Sequence, residues 1–501
     1  MSFFLGLDLG TSSIKAIIID KKGNPVISSS IEYPLNKPQP GWAEQDPKVW
    51  WESVIQVLDG MKNKTEINFS DIKSIGVTGQ MHGLVALDDK DELIYPCITW
   101  ADRRSTAQVK KIKDILSSEE LEVLGNPVVN GFTAPKLLWL INKKGYDEIN
   151  KILLPKDFIT FKMTGKKQSD YSDASATLLF DVKKRKWATE IIEKLNIPIS
   201  ILPSLKPPGS IIGHLKSDVA EILNLNKGIP IIAAGGDAPL SALSNGITKS
   251  GDASITIGTG GQILTVLDDY KFDDEFRLHT LSHSLPQKWY TMGAISSAGY
   301  CLKWWRNNFA RSEVKNKKKI TFEFMSSKAE TVPPVAEGLI FLPYLNGERS
   351  PHLDPYARGS IFGFTGKHTE AHVIRAIMEG VCFAVKENIE IMEDMGIEIN
   401  ELRMTGGAVK SRLWREIFAT VLNRPILFAK NQRGSAFGAA LSAANSYGIY
   451  ANLEEAFQSI DNNWKRTDPV KENRDKYKKA FSLYKQIYRK TKVIYPELSK
   501  L

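Results

Sequence analysis

Residues 4–20 read FLGLDLGTSSIKAIIID, and residues 253–268 read ASITIGTGGQILTVLD. In both stretches an apolar run leads into a Gly-Thr turn and then a second apolar run, which predicts two strands joined by a tight turn. Glycines and hydroxyl side chains at such a turn let backbone N–H groups come close to an anion. Because the stretch occurs twice, about half a chain apart, the sequence predicts two related α/β domains with a phosphate chain between their turns.

The two copies differ in a residue that could hold a metal ion. Asp8 stands two residues before the glycine of the first turn, and Thr256 takes the same place in the second copy. Magnesium on a phosphate chain usually takes only one or two protein carboxylates, so Asp8 is the candidate ligand. The alternative is a turn aspartate that bonds to its own loop. The sequence therefore predicts a metal site in the first half only.

The composition predicts a globular protein with more than one domain. A chain of 501 residues is too long for one hydrophobic core, and its 42% hydrophobic and 25% charged residues are typical of globular proteins. We expect domains at 1–247 and 253–445, followed by a helical tail at 446–501 that packs on the body. The three cysteines fit neither a metal site nor a disulfide framework, and no apolar run is long enough to span a membrane. These features predict a cytoplasmic protein without a membrane partner.

The net charge of +9 raises the question of a nucleic-acid partner. The basic residues are spread along the chain, with the main clusters at 315–319 and 465–492. The aromatic residues interleaved with a basic groove that single-stranded nucleic acid would need are not evident in the tail. We therefore expect no nucleic-acid partner, and a mild positive charge would instead draw in a polyanionic nucleotide. The sequence leaves a homodimer open.

Asp237 is the first candidate for catalysis. It follows Gly235 and Gly236 at the end of a predicted buried strand, residues 230–234, where two glycines let a ligand approach the backbone. A carboxylate at such a point can accept a proton from a substrate hydroxyl. The alternative is a helix N-cap, a position that aspartate often fills. Beside two phosphate-binding turns, catalysis is the favoured interpretation.

A second group of candidates follows other strand ends in the same half. It comprises Met81, His82, Trp100 and Asp102. Hydrogen bonds from the imidazole and the carboxylate, with apolar cover from methionine and tryptophan, would suit a small polyol bound at the strand ends of an α/β layer. Leu84 to Leu87 and Leu93 to Trp100 are predicted to pair as a hairpin. The chain has no GxxxxGK[ST] motif, which excludes a P-loop enzyme.

These motifs together resemble the FGGY family of carbohydrate kinases, which have the actin-like, duplicated ribonuclease-H fold. The resemblance runs from DLGTSS at residues 8–13 to RGSAFGAAL at 433–441. GFTAPKLLWLINK at 131–143 and GSIFGFTGKHTEAHVIRAIME at 359–379 are similar to the two signatures of the family. Within the family, GWAEQDP, GQMHG and GFTAPKLLW are most similar to the xylulokinases. The resemblance therefore implies two actin-like domains that face each other across a cleft.

The same resemblance implies phosphoryl transfer from ATP, with Mg²⁺, to D-xylulose. It assigns Asp237 as the general base and Asp8 to the magnesium and phosphate site. The sugar contacts that it implies are Met81, His82 and Asp237. The nucleotide contacts that we expect are Thr11, Ser12, Gly258, Thr259, Gly260, Gly406, Gly407, Ala408 and Ser411.

Two features keep other substrates open. Ala238 stands where xylulokinases usually have an asparagine after the catalytic aspartate, and ITWADRRS at residues 98–105 is similar to the gluconokinase branch. Gluconate and ribulose therefore remain alternatives to xylulose. A rival of a different class is an actin-like ATPase that uses the nucleotide to change shape. Such an ATPase gives no reason for the polar and aromatic residues at the strand ends.

Overall fold

The computed structural model of the protein describes residues 1–310, 320–429, 432–460 and 463–501. The basic cluster at 315–319 lies outside the described residues. Within the described part of the chain, no helix is both long enough and apolar enough to cross a membrane. The chain folds into two halves, and each half is built on a mixed sheet with helices packed on it.

The first half is organised around a six-stranded sheet. The strands of this half, which include those of smaller two-stranded sheets, are β1 (Phe3–Leu9), β2 (Ser13–Asp20), β3 (Pro25–Glu32), β4 (Glu44–Gln45), β5 (Ile72–Gly79), β6 (Val85–Leu87), β7 (Cys97–Ile98), β8 (Lys151–Leu153), β9 (Gln168–Asp170), β10 (Phe180–Asp181), β11 (Lys186–Trp187), β12 (Ser204–Lys206), β13 (Ile211–His214) and β14 (Pro230–Gly236). Its helices are α1 (Pro47–Lys62), α2 (Thr106–Ile115), α3 (Ser118–Leu124), α4 (Thr133–Lys144), α5 (Pro155–Thr164), α6 (Tyr171–Ala174), α7 (Thr189–Lys194), α8 (Ser217–Leu223) and α9 (Asp237–Ser244). The strand order of the main sheet is β13-β14-β5-β1-β2-β3.

The second half is organised around a seven-stranded sheet. The strands of this half, which include the separate pair β19 and β20, are β15 (Asp252–Ile257), β16 (Gly261–Leu267), β17 (His279–Ser282), β18 (Trp289–Ile295), β19 (Ile340–Leu342), β20 (Ser360–Phe362), β21 (Glu401–Gly406), β22 (Ile426–Phe428) and β23 (Lys465–Thr467). Its helices are α10 (Gly299–Asn308), α11 (Phe322–Glu330), α12 (Glu370–Asp394), α13 (Arg412–Leu422), α14 (Ser435–Ser446), α15 (Leu453–Gln458), α16 (Arg474–Thr491) and α17 (Tyr495–Leu498). The strand order of the main sheet is β17-β18-β16-β15-β21-β22-β23.

The two sheets share one central arrangement. In the first half β1 pairs antiparallel with β2 and parallel with β5. In the second half β15 pairs antiparallel with β16 and parallel with β21. Each predicted turn thus joins two antiparallel strands and lies beside the end of a parallel strand. The predicted duplicated α/β fold is confirmed.

Helix α14 crosses from the end of the second half onto the sheet of the first. A Cβ atom at Gly6 of β1 would lie 1.9 Å from the carbonyl oxygen of Ala436, and one at Gly76 of β5 would lie 2.0 Å from that of Ala439. The helix backbone therefore rests directly on the strands, and both strand positions require glycine. A division of the chain at 253–445 separates this helix from the sheet that it covers. The predicted domain boundaries remain predictions.

The predicted hairpin of segments 84–87 and 93–100 forms only in part. The segments meet antiparallel but do not form a continuous ladder, and their regular strand pairings are those of β6 with β8 and of β7 with β4. Two antiparallel bridges join these segments, one between Leu84 and Ile98 and one between Leu87 and Leu93. Pro96 lies in the middle of the second segment, where it lacks the N–H donor that a continuous ladder needs.

The tail helix α16 packs on the second half. Tyr477, Phe481, Tyr484 and Tyr488 are buried in the same hydrophobic cluster as the core of that half. The hydroxyl of Tyr484 lies 2.6 Å from the hydroxyl of Tyr344, which ties the helix to the segment after β19. The helical spacing of these aromatic residues reflects one buried face.

Candidate active site

The site forms where three parallel strands end. Strands β1 and β14 both run parallel to β5, and in this register Thr78 lies beside Asp8 on one side and Gly235 on the other. The Thr78 hydroxyl donates a hydrogen bond of 2.7 Å to the carbonyl oxygen of Gly235. Since the carboxyl ends of parallel strands meet at one edge, the segments that follow them also meet there. Asp8, the segment after Gly79, and Asp237 are therefore gathered at one edge of the sheet.

Asp237 is the first residue of helix α9, directly after the two glycines. The N-cap of this helix is Gly236, so Asp237 is not the capping residue that the alternative interpretation requires. A Cβ atom at Gly236 would lie 2.6 Å from the Sδ atom of Met81, and only glycine leaves this side chain in place. Burial, and then the negative charge of Asp8, raise the pKa of Asp237 to about 7.

Asp8 is buried and only half of its carboxylate is satisfied. Its Oδ2 atom accepts a hydrogen bond of 2.7 Å from the Ser435 hydroxyl. Its Oδ1 atom has no hydrogen-bond partner among the described residues. Burial raises the pKa of this carboxyl, while Ser435 and Lys15 oppose that rise. A buried, unpartnered carboxylate oxygen beside a phosphate-binding turn fits a ligand for Mg²⁺, which prefers such oxygens.

His82 lies directly beyond the end of β5 in a left-handed backbone conformation, with φ of 70°. Its Nδ1 atom lies 2.8 Å from the carbonyl oxygen of Ala176. Burial lowers the pKa of His82 to about 3, so the imidazole is neutral at pH 7. Because Nδ1 must then donate to the carbonyl, Nε2 is left as a hydrogen-bond acceptor. Met81 beside it is buried and receives a hydrogen bond of 3.7 Å from the Tyr290 hydroxyl.

Trp100 and Asp102 differ sharply in their surroundings. Trp100 is 38% exposed, and its indole Nε1 donates a hydrogen bond of 2.9 Å to the Thr11 hydroxyl at the first turn. Asp102 is buried and its two carboxylate oxygens accept hydrogen bonds of 2.6 to 2.9 Å from the Ala43 amide and from Arg104. A sugar contact by Asp102 stays a prediction, and its geometry favours a role in fixing the Arg104 side chain.

The predicted nucleotide residues gather in the second half. A cavity of about 540 Å³ is lined by Gly258, Thr259, Gly407, Ala408 and Ser411, together with side chains from α10, α11 and α13. Gly260 lies beside it at the second turn, and Gly406 lies at the end of β21 with φ of 85°. Thr11 and Ser12 lie at the tip of the first turn instead.

The end of β21 is held against the second turn. A Cβ atom at Gly406 would lie 2.3 Å from the carbonyl oxygen of Ile257, so this position requires glycine. The Gly406 amide donates a hydrogen bond of 2.8 Å to the side chain of Gln432. Ser411 caps helix α13, since its hydroxyl accepts a hydrogen bond of 3.1 Å from the Trp414 amide. The cavity thus lies between a Gly-rich turn and a helix N-terminus, a setting that suits an anionic ligand.

Both halves of the chain match models of known domains. Residues 3–244 match the N-terminal domain of the FGGY family of carbohydrate kinases, and residues 253–447 match the C-terminal domain of that family. The chain belongs to this family.

Full-length similarity to individual sugar kinases accompanies the FGGY match. The chain is 35% identical over 496 residues to a xylulose kinase of Bacillus subtilis (strain 168), and the aligned region covers 98% of each chain. Its fold is similar to that of a xylulose kinase from Lactobacillus acidophilus, with a TM-score of 0.92, 28% identity, and 99% and 100% of the two chains covered. A gluconate kinase from Lactobacillus acidophilus has a TM-score of 0.91 at 28% identity, with 99% of both chains covered.

Sequence reasoning missed a lysine that contacts the segments carrying the predicted sugar-binding residues. Lys136 is fully buried in α4, and its ammonium donates hydrogen bonds to the carbonyl oxygens of His82 at 2.8 Å, Gly131 at 2.8 Å and Thr99 at 3.2 Å. It therefore ties together the loops that carry His82 and Trp100. A lysine inside the apolar run GFTAPKLLW is the signal that could have identified it, because buried lysines need partners.

A second missed group, from the other half of the FGGY fold, reaches a residue predicted to bind the sugar. The Arg349 guanidinium lies 5.7 Å from the centre of the Trp100 ring. The neighbouring Glu348 accepts hydrogen bonds from the amides of Ser296 at 2.7 Å and Arg349 at 2.8 Å, and burial raises its pKa to about 7. Arg103 of the first half donates a hydrogen bond of 3.4 Å to the carbonyl oxygen of Asn346. The loop after β19 therefore contacts the segment that carries Trp100, a residue predicted to bind the sugar.

Proposed function

We propose that this FGGY kinase transfers the γ-phosphoryl group of ATP to D-xylulose and forms D-xylulose 5-phosphate. The observation that carries the proposal is the meeting of Asp8, Met81, His82 and Asp237 at one sheet edge. The similarity to xylulose kinases over nearly the whole chain supports xylulose as the sugar. The cavity lined by the second turn supports a nucleotide in the other half.

In the proposed reaction Asp237 is the general base. A sugar hydroxyl gives its proton to the Asp237 carboxylate as its oxygen bonds to the γ-phosphorus, and ADP leaves from the opposite side. A pKa raised to about 7 suits this task, because the carboxylate is then basic enough to take the proton and about half of it is ionised at neutral pH. His82 would accept a hydrogen bond from another sugar hydroxyl through Nε2, and Met81 and Trp100 would cover the apolar face of the sugar.

We assign Asp8 to the metal. Mg²⁺, when bound, would neutralise charge on the phosphate chain, and Asp8 is the residue that would hold it through its unpartnered oxygen. Thr11, Ser12, Gly258, Thr259 and Gly260 would contact phosphates. Gly406, Gly407, Ala408 and Ser411 would contact the adenosine. Asp102 we assign to holding Arg104, since its oxygens are engaged within the protein.

An assay of ADP release tests the sugar. We expect the largest kcat/KM for D-xylulose in a panel with D-ribulose, L-ribulose, D-gluconate and glycerol. ATP turnover without sugar should be slow, because a kinase excludes water from its closed site. A clear preference for gluconate or a ribulose would show that xylulose is the wrong sugar. Rapid ATP turnover that no sugar stimulates would favour the actin-like ATPase.

Gluconate is the second candidate. Arg103 and Arg349 both reach the region around Trp100, and guanidinium groups can bind a carboxylate with two hydrogen bonds. Similarity to a gluconate kinase of known structure points the same way. A ketose has no carboxylate for these arginines, so the substrate panel separates the two candidates.

We also propose a division into domains at 1–247 and 253–445 with a tail at 446–501, and a cytoplasmic location. Limited proteolysis followed by mass spectrometry tests the division, since cleavage concentrates in exposed connecting segments. Cell fractionation tests the location. Light scattering of the purified protein distinguishes a monomer from the homodimer that the sequence leaves open.

A further inference from the structure

A buried serine is bonded to the backbone immediately before the proposed base. The hydroxyl of Ser172, in the short helix α6, accepts a hydrogen bond of 2.9 Å from the amide of Gly236. The same hydroxyl donates a hydrogen bond of 2.6 Å to Asp170 Oδ1. Ser172 and Asp170 are fully buried, so neither bond competes with water. Residue 236 is thus held from outside its own strand.

Asp170 is in turn fixed by a buried lysine. The Lys156 ammonium lies 2.7 Å from Asp170 Oδ2, and it also pairs with Asp157 and, at 3.2 Å, with Asp173. All four side chains are fully buried. The ammonium contacts all three carboxyl groups, and its single positive charge compensates one of them, while burial raises the pKa of Asp157 and Asp173. Lys156, Asp170 and Ser172 therefore form a rigid chain of contacts that ends at the Gly236 amide.

Two glycines give this strand end more conformational freedom than other residues would, and Ser172 adds a restraint to the pairing with β5. Gly235 has φ of 116°, a conformation that side chains rarely adopt, and glycine is free to leave it when nothing restrains the backbone. A Cβ atom at Gly235 would lie 2.8 Å from the Ser172 hydroxyl and 2.1 Å from the Ser284 hydroxyl. The serine hydroxyls fill the space beside the glycine and restrain it. The position of Asp237, one residue further on, depends on the same backbone.

We propose that Ser172 is a positioning residue for Asp237, acting through the Gly236 amide and backed by Asp170 and Lys156. This inference rests on the proposed role of Asp237 as the base. Loss of the hydroxyl would remove this hydrogen bond from the buried Gly236 amide and loosen the backbone that carries Asp237. A displacement of about 1 Å at a reacting group can cost on the order of a hundredfold in rate. The nucleotide cavity is in the other half and should be unaffected.

The test compares Ser172→Ala with a matched serine variant. Ser175 is buried in the next turn, and its hydroxyl accepts a hydrogen bond of 3.1 Å from the Ser282 amide, as Ser172 does from Gly236. We expect Ser172→Ala to lower kcat for D-xylulose roughly tenfold to a hundredfold, with KM for ATP unchanged. Ser175→Ala should lose a similar amount of thermal stability and keep kcat near that of the parent. Equal losses of kcat in both variants would overturn the inference.

A second comparison separates positioning from general damage. Ser172→Ala should have little further effect in an Asp237→Asn background, because the carboxylate that it positions is already gone. The same fractional loss in both backgrounds would overturn the inference. If Asp237→Asn loses rate and Ser172→Ala keeps the parental rate, the role of Ser172 is overturned and the proposed base stands. A parental rate in Asp237→Asn would overturn the proposed base and the role of Ser172 with it.

Ser172→Cys keeps the comparison decisive if the alanine variant does not fold. The thiol is a weaker acceptor for the Gly236 amide than the hydroxyl is. We expect a kcat between those of the parent and the alanine variant, with a melting temperature close to that of the parent. A folded cysteine variant with parental kcat would overturn the inference.

Discussion

The Ser435 hydroxyl donates a 2.7 Å hydrogen bond to Asp8 Oδ2, although 427 residues separate the two in the chain. Ser435 is the first residue of α14, the helix that leaves the second half and lies on the sheet of the first. One carboxylate oxygen of Asp8 is therefore fixed by the end of the other half, and the other oxygen is left for a ligand. The proposed metal site depends on how the two halves are joined.

Asp8→Asn should raise the magnesium concentration needed for half-maximal rate and lower kcat, since the amide is a weaker ligand and carries no charge. Ser435→Ala is the control, because it removes the hydrogen bond and keeps the carboxylate. We expect a smaller rise in the magnesium requirement for this variant. The measurement is a magnesium titration of the initial rate at fixed ATP. An unchanged titration in Asp8→Asn would make Asp8 a structural residue of the turn.

Gly6→Ala should destabilise the protein by about 3 kcal/mol or more, because the new methyl group would meet the backbone of Ala436. Gly60→Ala in α1 is the control, since a Cβ atom there has nothing within 4 Å. Alanine is a better helix former than glycine, so this change should stabilise by about 0.5–1 kcal/mol. Denaturant unfolding of both variants measures the difference. Similar stability of the two would show that α14 does not rest on β1 as described.

The sequence predicted what local chemistry determines. The two turns and the glycines before Asp237 each depend on neighbouring residues, and each has a recognisable pattern. The duplicated fold followed from the repetition of one such pattern. The pairing of 84–87 with 93–100 was predicted only in part, because the segments do meet antiparallel but also pair with strands from other parts of the chain, which sequence adjacency does not indicate.

The remaining site residues act across long distances in the chain. Lys136 contacts the loops that carry His82 and Trp100, which are predicted to bind the sugar. Ser172 bonds to an amide 64 residues away, and Arg349 comes from the other half of the chain. None of these partners can be read from spacing or periodicity in a single sequence. The same limit applies to Asp102, whose residue type suits a sugar ligand although Arg104 and Ala43 engage its oxygens.

Arg349→Ala should raise KM for the sugar severalfold and leave KM for ATP unchanged, because the guanidinium lies beside Trp100. Arg358→Ala is the control. Arg358 belongs to the same loop, and its guanidinium donates hydrogen bonds of 2.9 and 3.1 Å to carbonyl oxygens of that loop. Steady-state kinetics with each substrate varied in turn measure KM for the sugar and KM for ATP separately. Equal effects of the two variants on sugar KM would exclude a specific role for Arg349.

The rate should depend on pH through Asp237. The pKa of its carboxyl is raised to about 7, and the base must be ionised to accept a proton. We therefore expect kcat/KM for the sugar to fall about tenfold for each pH unit below about 7 and to level off above it. A pH profile between 5 and 9, with enzyme stability checked at each point, measures this. A midpoint near 4 would mean that an unperturbed carboxylate, or a different group, controls the rate.

Asp237→Asn should lower kcat by about 10²–10⁴, since the amide keeps the shape of the side chain and loses its basicity. KM for ATP should change little, because the nucleotide cavity is formed by the second half. The same variant should be more stable than the parent at pH 8. A carboxyl with a folded pKa of about 7, against 3.8 when unfolded, resists ionisation in the folded state.

Above pH 7 the ionised Asp237 carboxylate lowers the free energy of unfolding by its full amount. This destabilisation decreases as the pH falls from 7 towards 4, because the folded protein then binds the proton. Asparagine removes that cost, so we expect a gain of roughly 1–2 kcal/mol at pH 8 and a much smaller gain at pH 4.5. A purely structural role for the Asp237 carboxylate, at the first turn of α9, predicts the opposite sign, a loss of about 1 kcal/mol with near-normal turnover. Thermal melting at both pH values and a single-turnover rate on the same preparation distinguish the two. A destabilised variant with turnover within a few-fold of the parent would remove Asp237 from catalysis.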